Sequence, residues 1–215
     1  MEPISLRGLR REGDDQSVID LTRALLAEEN PSNRESGVAR VVAARMRELG
    51  YDEVYTDEMG NVAGLVKGTG SGGTDSAAAG ASSILFDAHM DTIGVTPRAA
   101  WRHDPFGGEI EGNRMYGRGT SDMKGAIAGL VEGIGWLARA RQGESRAMRP
   151  AGDIWIVASV AEEMMEGVAL THVLENIPSR TGRAIPQNIV VQVLHERFGG
   201  GWSGRLLADR VRPRL

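Results

Sequence analysis

An apolar stretch of the chain ends in a histidine and an aspartate. The first could bind a metal ion, and the second could orient that ligand. His89 and Asp91 belong to residues 84–92, ILFDAHMDT, which open with three apolar side chains. Such a run is typical of a strand buried on both faces of a sheet. Because side chains alternate along a strand, His89 and Asp91 are predicted to lie on the same side, about 6–7 Å apart by rise. A carboxylate placed there can accept the second N–H of a metal-bound imidazole.

Three further acidic residues follow elements that are predicted to be buried. Asp122 lies in the glycine-rich stretch 117–125, and Glu162 and Glu163 directly follow the apolar run 153–160. Nitrogen and oxygen ligands of this kind suit zinc, with cobalt or manganese as alternatives. An aspartate can bridge two cations about 3.5 Å apart, and one of two adjacent glutamates can bind metal while the other takes a proton from water. The alternative for the glutamates is a solvated helix N-terminus, where acidic side chains favour the helix dipole.

The composition restricts the classes of function. The chain has 215 residues, 25% of them charged, a net charge of −4 and no cysteine. Disulfides, thiolate nucleophiles and cysteine-based zinc sites are therefore excluded. The acidic balance argues against a nucleic-acid or anionic-membrane partner, and no G-x-S-x-G serine elbow is present. The N-terminal residues lack an apolar signal segment, so we expect a cytoplasmic protein.

Hydrophobic periodicity predicts alternating helices and strands. The helix after Gly125 is expected to bury a stripe formed by Ile127, Leu130, Ile134 and Leu137. The low-complexity stretch at 68–83 is interpreted as a hairpin tip, and a short hairpin is expected around Gly112 and Asn113. The predicted helices are 16–29, about 34–49, the segment after 125, and 164–176, and the predicted strands are 54–56, 62–66, 84–91 and 153–160.

This alternation predicts an α/β fold, a three-layer structure in which a mixed, twisted sheet has helices on both faces. Ligands of such folds bind beyond the carboxyl ends of the strands. The candidate residues lie at those ends, so we expect them to meet at one edge of the sheet.

Three motifs, FDAHMDT, YGRGTSDMKG and AEEMMEG, occur in this order, and the resemblance that they carry covers roughly residues 16–177. Their sequence and spacing resemble the family of dinuclear zinc hydrolases that includes aminoacylase, acetylornithine deacetylase, succinyl-diaminopimelate desuccinylase and carboxypeptidase G. The approach WRHDPFGGEIEGNRMYGRG is similar to the subgroup of selenium-metabolism-linked hydrolases. The resemblance implies a zinc-peptidase-like catalytic domain that hydrolyses an amide bond in an N-acyl amino acid or a small peptide.

The resemblance also implies roles for the five candidate residues. His89 would bind the first of two zinc ions and Asp91 would orient it. Asp122 would bridge both ions, Glu162 would act as general base, and Glu163 would bind the second ion. The family further implies a cis peptide bond directly after the bridging aspartate.

The C-terminal part of the chain departs from the family pattern. Residues 179–215 contain seven arginines and no lysine, and the window around Asn188 lacks the carboxylate that the family would place there. We therefore predict two segments, the N-terminal part of a dinuclear zinc hydrolase catalytic domain at 1–177 and an arginine- and glycine-rich tail at 178–215 that does not match the family.

These departures lead to an expectation of a truncated and impaired copy that lacks the lid and dimerisation domain. Each metal position would then have two protein ligands, fewer than the three usual for catalytic zinc. An open sheet edge would favour homo-oligomers or aggregation. The alternatives are a non-catalytic fragment that binds a metal or a partner, and a hydrolase with a serine or other nucleophile.

Overall fold

The computed structural model describes residues 14–68, 83–143, 150–165, 167–181 and 190–193. Its helices are α1 (Asp14–Leu26), α2 (Ser36–Glu48), α3 (Lys124–Gly143) and α4 (Val168–Thr181), with a short 3₁₀ helix at Arg98–Ala100. Its strands are β1 (Glu53–Thr56), β2 (Val62–Val66), β3 (Ile84–His89), β4 (Glu109–Glu111), β5 (Arg114–Tyr116), β6 (Ile154–Ser159) and β7 (Val190–Val193). Among the helices of these ranges, none is long and apolar enough to cross a bilayer.

Five strands form one mixed sheet in the order β1-β2-β6-β3-β7. The pairs β1–β2 and β2–β6 are antiparallel, whereas β3 is parallel to both β6 and β7. In the β3–β6 register His89 lies opposite Ser159, so the carboxyl ends of these two strands are level. Strands β4 and β5 form a separate hairpin, as predicted around Gly112 and Asn113.

Helices cover both faces of this sheet, which confirms the predicted three-layer mixed α/β fold. On one face, Ile156 and Ala158 of β6 belong to the core cluster that includes residues of α1, α2 and α3. On the other face, Trp155 and Val157 pack in a cluster with Leu170 of α4. The alternation along β6 therefore divides its side chains between two apolar layers, as expected for a strand buried on both faces.

Helix α3 buries Ile127 as predicted, and the predicted Leu130 and Ile134 pack against the same core cluster. Its fully buried apolar residues include Ile127, Val131 and Ala138, whereas Leu130 and Ile134 are only partly buried. Small residues form the contact surface because the helices approach closely, and a Cβ added at Gly135 would lie 2.7 Å from Cδ1 of Leu49. Large side chains at those positions would hold α2 and α3 apart.

The boundaries of two helices illustrate where local sequence signals succeed and fail. Gly50 follows α2 with φ +79°, and Tyr51 N–H donates to Met46 O at 3.2 Å, which confirms the predicted glycine at C′. Helix α4 begins at Val168 rather than at Met164 and continues past Pro178 to Thr181. A proline removes one helical hydrogen bond but does not by itself end the last turn.

The predicted hairpin tip at 68–83 falls almost entirely outside the described residues. Strand β7 lies within the segment 178–215 that the sequence sets apart, and its pairing with β3 places those four residues in the same sheet as the motifs. The boundary after position 177 stays a prediction.

Candidate metal and active site

The structure brings three of the candidate residues together beyond the carboxyl ends of β3 and β6. His89 is the last residue of β3, Asp122 lies two residues before α3, and Glu163 lies in the turn after β6. One ligand atom from each of these three side chains lies within 4.8 Å of the other two. One imidazole and two carboxylates at this separation fit a divalent cation, because zinc, cobalt and manganese all accept mixed nitrogen and oxygen ligands.

The His89 ring has different neighbours at its two nitrogens. Nδ1 lies 3.0 Å from the backbone oxygen of Asp91 and 3.4 Å from Oδ1 of the same residue. Nε2 lies 3.0 Å from Oδ1 of Asp122 and 3.8 Å from Oε2 of Glu162. Burial alone would lower the pKa of His89, but the Asp91 hydrogen bond and the charges of Glu162 and Asp91 raise it to about 9. Nε2 is therefore the nitrogen directed toward Asp122 and Glu162, whereas Nδ1 faces Asp91.

Asp91 is fully buried and accepts hydrogen bonds from three directions. Ser32 Oγ donates to Oδ2 at 2.6 Å, Glu162 N–H donates to Oδ1 at 3.0 Å, and Glu163 N–H donates to Oδ2 at 3.2 Å. Burial would raise the pKa of Asp91, but the hydrogen bonds from His89 and Ser32 hold it below the usual value. Asp91 thus contacts both the imidazole and the backbone of the two glutamates.

Asp122 lies in a turn that is anchored beneath the site. The Asp122-Met123 peptide bond is cis, which confirms the expectation from the family resemblance. Lys124, the next residue, is fully buried, and its Nζ donates to the carbonyl oxygens of Leu25 at 2.8 Å and Glu28 at 2.9 Å. Burial lowers the pKa of Lys124 to about 8. These bonds connect the Asp122 turn to the C-terminal end of α1, where an ammonium group is favourable.

The electrostatic surroundings favour a bound cation. Asp91, Asp122, Glu162 and Glu163 place four carboxyl groups around the imidazole of His89. Burial and the neighbouring charge of Asp122 raise the pKa of Glu163 above its usual value. A divalent cation would relieve this repulsion between carboxylates, because opposite charges at short range favour the ionised form.

A buried carboxyl group that the sequence analysis did not single out lies below this site. Asp87 is two residues before His89 on β3 and is therefore on the same face of the sheet. Burial raises the pKa of Asp87 to about 6, an effect partly offset by a hydrogen bond with Ser159. Asp87 lies inside an apolar strand, and its hydrogen-bond partner Ser159 is on the neighbouring strand β6, so no local pattern in the sequence identified it.

A second group of potential ligands lies on the hairpin. His103 Nδ1 lies 2.9 Å from Oε2 of Glu109, and Glu111 is also near the ring. The imidazole stacks on Tyr116 with the centroids 4.1 Å apart. Both glutamates are exposed, so the contacts of His103 are those of an ion pair and an aromatic stack at the surface.

The sequence model of Peptidase family M20/M25/M40 matches residues 85–204, which is more than half of the chain.

The chain belongs to this family.

The match includes all five candidate residues, and it extends beyond position 177 into the segment that the sequence analysis set apart.

Curated relatives of this M20 chain include succinyl-diaminopimelate desuccinylases. The one from Methylocella silvestris is 35% identical over 119 residues, which are 54% of this chain and 29% of the relative. The one from Alkalilimnicola ehrlichii is 32% identical over 167 residues, which are 77% of this chain and 40% of the relative. The chain therefore spans well under half the length of these curated relatives.

Solved structures of M20 peptidases share the fold. Human carnosine dipeptidase 1 aligns with a TM-score of 0.61 at 18% identity, over 89% of this chain and 42% of that protein. An M20 family metallo-carboxypeptidase from Sulfolobus solfataricus aligns with a TM-score of 0.57 at 18% identity, over 84% of this chain and 37% of that protein. A dinuclear metal binding peptidase of the family from Bacillus subtilis aligns with a TM-score of 0.54 at 16% identity, over 86% of this chain and 44% of that protein. The mixed α/β architecture is that of M20 catalytic domains.

Proposed function

We propose that this chain forms part of the active site of a metal-dependent hydrolase that cleaves the amide bond of an N-acyl amino acid or a small peptide. The observation that supports this most directly is the convergence of His89, Asp122 and Glu163 within 4.8 Å of one another. A fourth side chain, Glu162, has its Oε2 3.8 Å from His89 Nε2. The names of the relatives, desuccinylase, dipeptidase and carboxypeptidase, favour the same class of bond.

Zinc is the proposed cofactor, as two ions with Asp122 between them, and cobalt or manganese are the alternatives. The described ligand set fits this proposal, because an imidazole nitrogen and carboxylate oxygens are ordinary zinc ligands. When bound, the ions would supply Lewis-acid polarisation of the amide carbonyl and of the attacking water. His89 would hold the first ion through Nε2, Glu163 would hold the second, and Asp122 would contribute to both.

Asp91 orients the site without binding the metal itself. Its backbone oxygen is 3.0 Å from Nδ1 of His89, so Nδ1 would keep its proton while Nε2 gives up its own and offers its lone pair when a metal binds. Its carboxylate accepts the N–H groups of Glu162 and Glu163. The same residue therefore sets the tautomer of the imidazole and the position of the glutamates.

Glu162 is the proposed general base. Its carboxylate takes a proton from the attacking water as the water oxygen forms a bond to the amide carbon. The same carboxylate then gives the proton to the nitrogen of the leaving amine as the carbon–nitrogen bond breaks. The products are a carboxylic acid, which loses its remaining proton to solvent, and a free amine, and Glu162 returns to its starting state.

The second candidate function is a non-catalytic module that binds a metal or a partner, and the number of ligands favours it. Within the part of the chain that the structure describes, the group at this site has three ligands. Two ions that share Asp122 would therefore have two protein ligands each, fewer than the three usual for catalytic zinc.

Metal stoichiometry measured together with turnover distinguishes the two candidates. The metal-free chain is titrated with zinc, the bound zinc is quantified after dialysis, and hydrolysis is followed on a panel of N-acetyl and N-succinyl amino acids and dipeptides. Two tightly bound ions with turnover that EDTA abolishes support the hydrolase. One weakly bound ion without turnover supports the binding module, and turnover that resists EDTA would contradict both.

The composition and the sheet also bear on where this protein works and what it binds. A chain without cysteine is typical of proteins that do not depend on an oxidising compartment, and we place this one in the cytoplasm. With a net charge of −4, its partner would be a small-molecule substrate rather than a nucleic acid or an anionic membrane. Copies would associate through an edge of the sheet, of which β1 forms one.

A further inference from the structure

Four consecutive backbone N–H groups at the end of β6 donate to side-chain oxygens that come from three other parts of the chain. In an ordinary turn, N–H groups commonly donate to backbone carbonyl groups of the same turn, so a run of side-chain acceptors is unusual. The N–H of Val160 donates to Asn61 Oδ1 at 2.9 Å, and the N–H of Ala161 donates to Glu35 Oε1 at 3.0 Å. The N–H groups of Glu162 and Glu163 donate to the two carboxylate oxygens of Asp91, at 3.0 Å to Oδ1 and 3.2 Å to Oδ2.

The backbone at Ala161 explains why such external acceptors are needed. Ala161 has φ +56°, a left-handed conformation that is unfavourable for a residue with a Cβ. This residue directly precedes Glu162 and Glu163, so its conformation sets the direction in which both side chains leave the strand. A conformation of this kind persists only when surrounding contacts determine it.

Glu35 stabilises this conformation and a second one like it. The same Oε1 atom that accepts Ala161 N–H also accepts Asn33 N–H at 2.9 Å, and Asn33 has φ +68°. Asn33 and Ala161 are the non-glycine residues with positive φ within the ranges that the structure describes. One carboxylate oxygen thus joins two left-handed residues, and one of them, Ala161, is 126 positions from Glu35 along the chain.

The environment of Glu35 makes these bonds strong. The residue is buried, with 5% of its surface exposed, so water does not compete for its acceptor atoms. Ser32, from the same segment, donates to Asp91 at 2.6 Å, which connects this segment to the orienting aspartate as well.

We propose that Glu35 is a positioning residue that holds the turn at Ala161 and thereby aims Glu162 and Glu163 at the metal-binding group. This role rests on the proposed function, since it is the direction of those two side chains that gives the turn its importance. Glu35 acts through the backbone, because its carboxylate accepts the N–H groups of Asn33 and Ala161.

The test compares Glu35→Ala with Glu35→Gln and with Glu132→Ala as a matched control. Glutamine keeps an oxygen that can accept both N–H groups, so it should behave nearly as the wild type. Glu132 is also a buried glutamate with two bonds to one partner, Arg45, but it lies about 12 Å along α3 from Lys124. Its loss should lower stability without reaching the turn at Ala161.

Two measurements on the full chain decide the outcome. Amide hydrogen exchange by NMR in the metal-free protein should show that Ala161 loses protection in Glu35→Ala but keeps it in Glu35→Gln and Glu132→Ala. Titration with zinc alone should show affinity lowered about 10–100-fold in Glu35→Ala only, as for other residues that support ligands from outside the coordination shell.

Unchanged protection of Ala161 in Glu35→Ala, or lost protection with unchanged zinc affinity, would overturn the proposal. If Glu35→Ala does not fold, Glu35→Gln decides the outcome. Wild-type zinc affinity with a protected Ala161 amide supports the acceptor role. A 10-fold loss of zinc affinity although the Ala161 amide stays protected overturns it. If the wild-type chain binds no zinc, the proposed function fails, while the exchange of Ala161 still tests whether Glu35 holds the turn.

Discussion

At the residue scale, Glu162 and Glu163 are neighbours with different surroundings. Glu163 belongs with His89 and Asp122 to the group whose ligand atoms lie within 4.8 Å of one another. Glu162 faces the same imidazole from 3.8 Å through Oε2. This difference is the structural basis for assigning metal binding to one glutamate and proton transfer to the other.

Glu162→Gln should abolish hydrolysis and leave zinc affinity nearly unchanged, because glutamine cannot accept the proton of the attacking water. Glu163→Gln should instead weaken zinc binding by about 10-fold or more, because a neutral amide is a poorer ligand than a carboxylate. Calorimetric zinc titration and rate measurements on both variants test this. Equal loss of zinc from the two variants would contradict the division of roles.

Asp91→Asn should lower zinc affinity by roughly 10–100-fold. An asparagine presents an NH₂ group where Glu162 N–H or Glu163 N–H now meets an oxygen, so two donors would face each other. Thermal melts with and without zinc separate this from a purely structural role, in which stability would fall and zinc binding would not. Ser32→Ala is the milder control, since it removes a single hydrogen bond to Asp91.

At the element scale, the start of α3 is packed tightly against the turn that precedes it. A Cβ added at Gly125 would collide with the backbone oxygen of Thr120, whereas a Cβ at Gly129, one turn later, would meet nothing within 4 Å. Backbone atoms cannot move aside as a flexible side chain can. The helix can therefore begin directly after the Asp122 turn only with glycine at position 125.

Gly125→Ala should destabilise the chain by about 1–3 kcal/mol through overpacking. Gly129→Ala should stabilise it by about 0.4–1 kcal/mol, because alanine favours the helix and restricts the unfolded chain. Urea unfolding of the two variants measures both effects. Two variants of equal stability would show that the beginning of α3 moves freely.

At the scale of the whole molecule, the candidate site joins segments that are distant in sequence. His89 ends a central strand, Asp122 precedes α3, and Glu163 follows β6, so one cation would connect three parts of the domain. A ligand that binds only the folded chain stabilises it by mass action.

Zinc at about 100 times its dissociation constant should therefore stabilise the fold by about 2.7 kcal/mol. For a chain of this size, that free energy corresponds to a rise in Tm of roughly 5–10 °C. Differential scanning calorimetry of the metal-free chain with added zinc measures the shift, and EDTA should reverse it. His89→Ala is expected to show no shift, and a full shift in that variant would place the zinc elsewhere.

The sequence by itself determined the residue types of the site and the order of the elements around them. Apolar runs identified β3 and β6, and the motifs at their ends named His89, Asp91 and Glu162 as functional candidates. These features were predictable because strand and helix patterns are local, and because a strand's carboxyl end is visible as a change from apolar to polar residues.

Only the tertiary structure decided how these candidates are held. The pairing of β3 with β6 placed His89 level with Ser159, and the fold brought Glu35 to Ala161 across 126 positions. No periodicity or turn signal identifies a side-chain acceptor for a backbone group so distant in the chain. The burial of Lys124 under the Asp122 turn could not be predicted for the same reason. Hydrogen bonds between remote segments form only when packing brings those segments together.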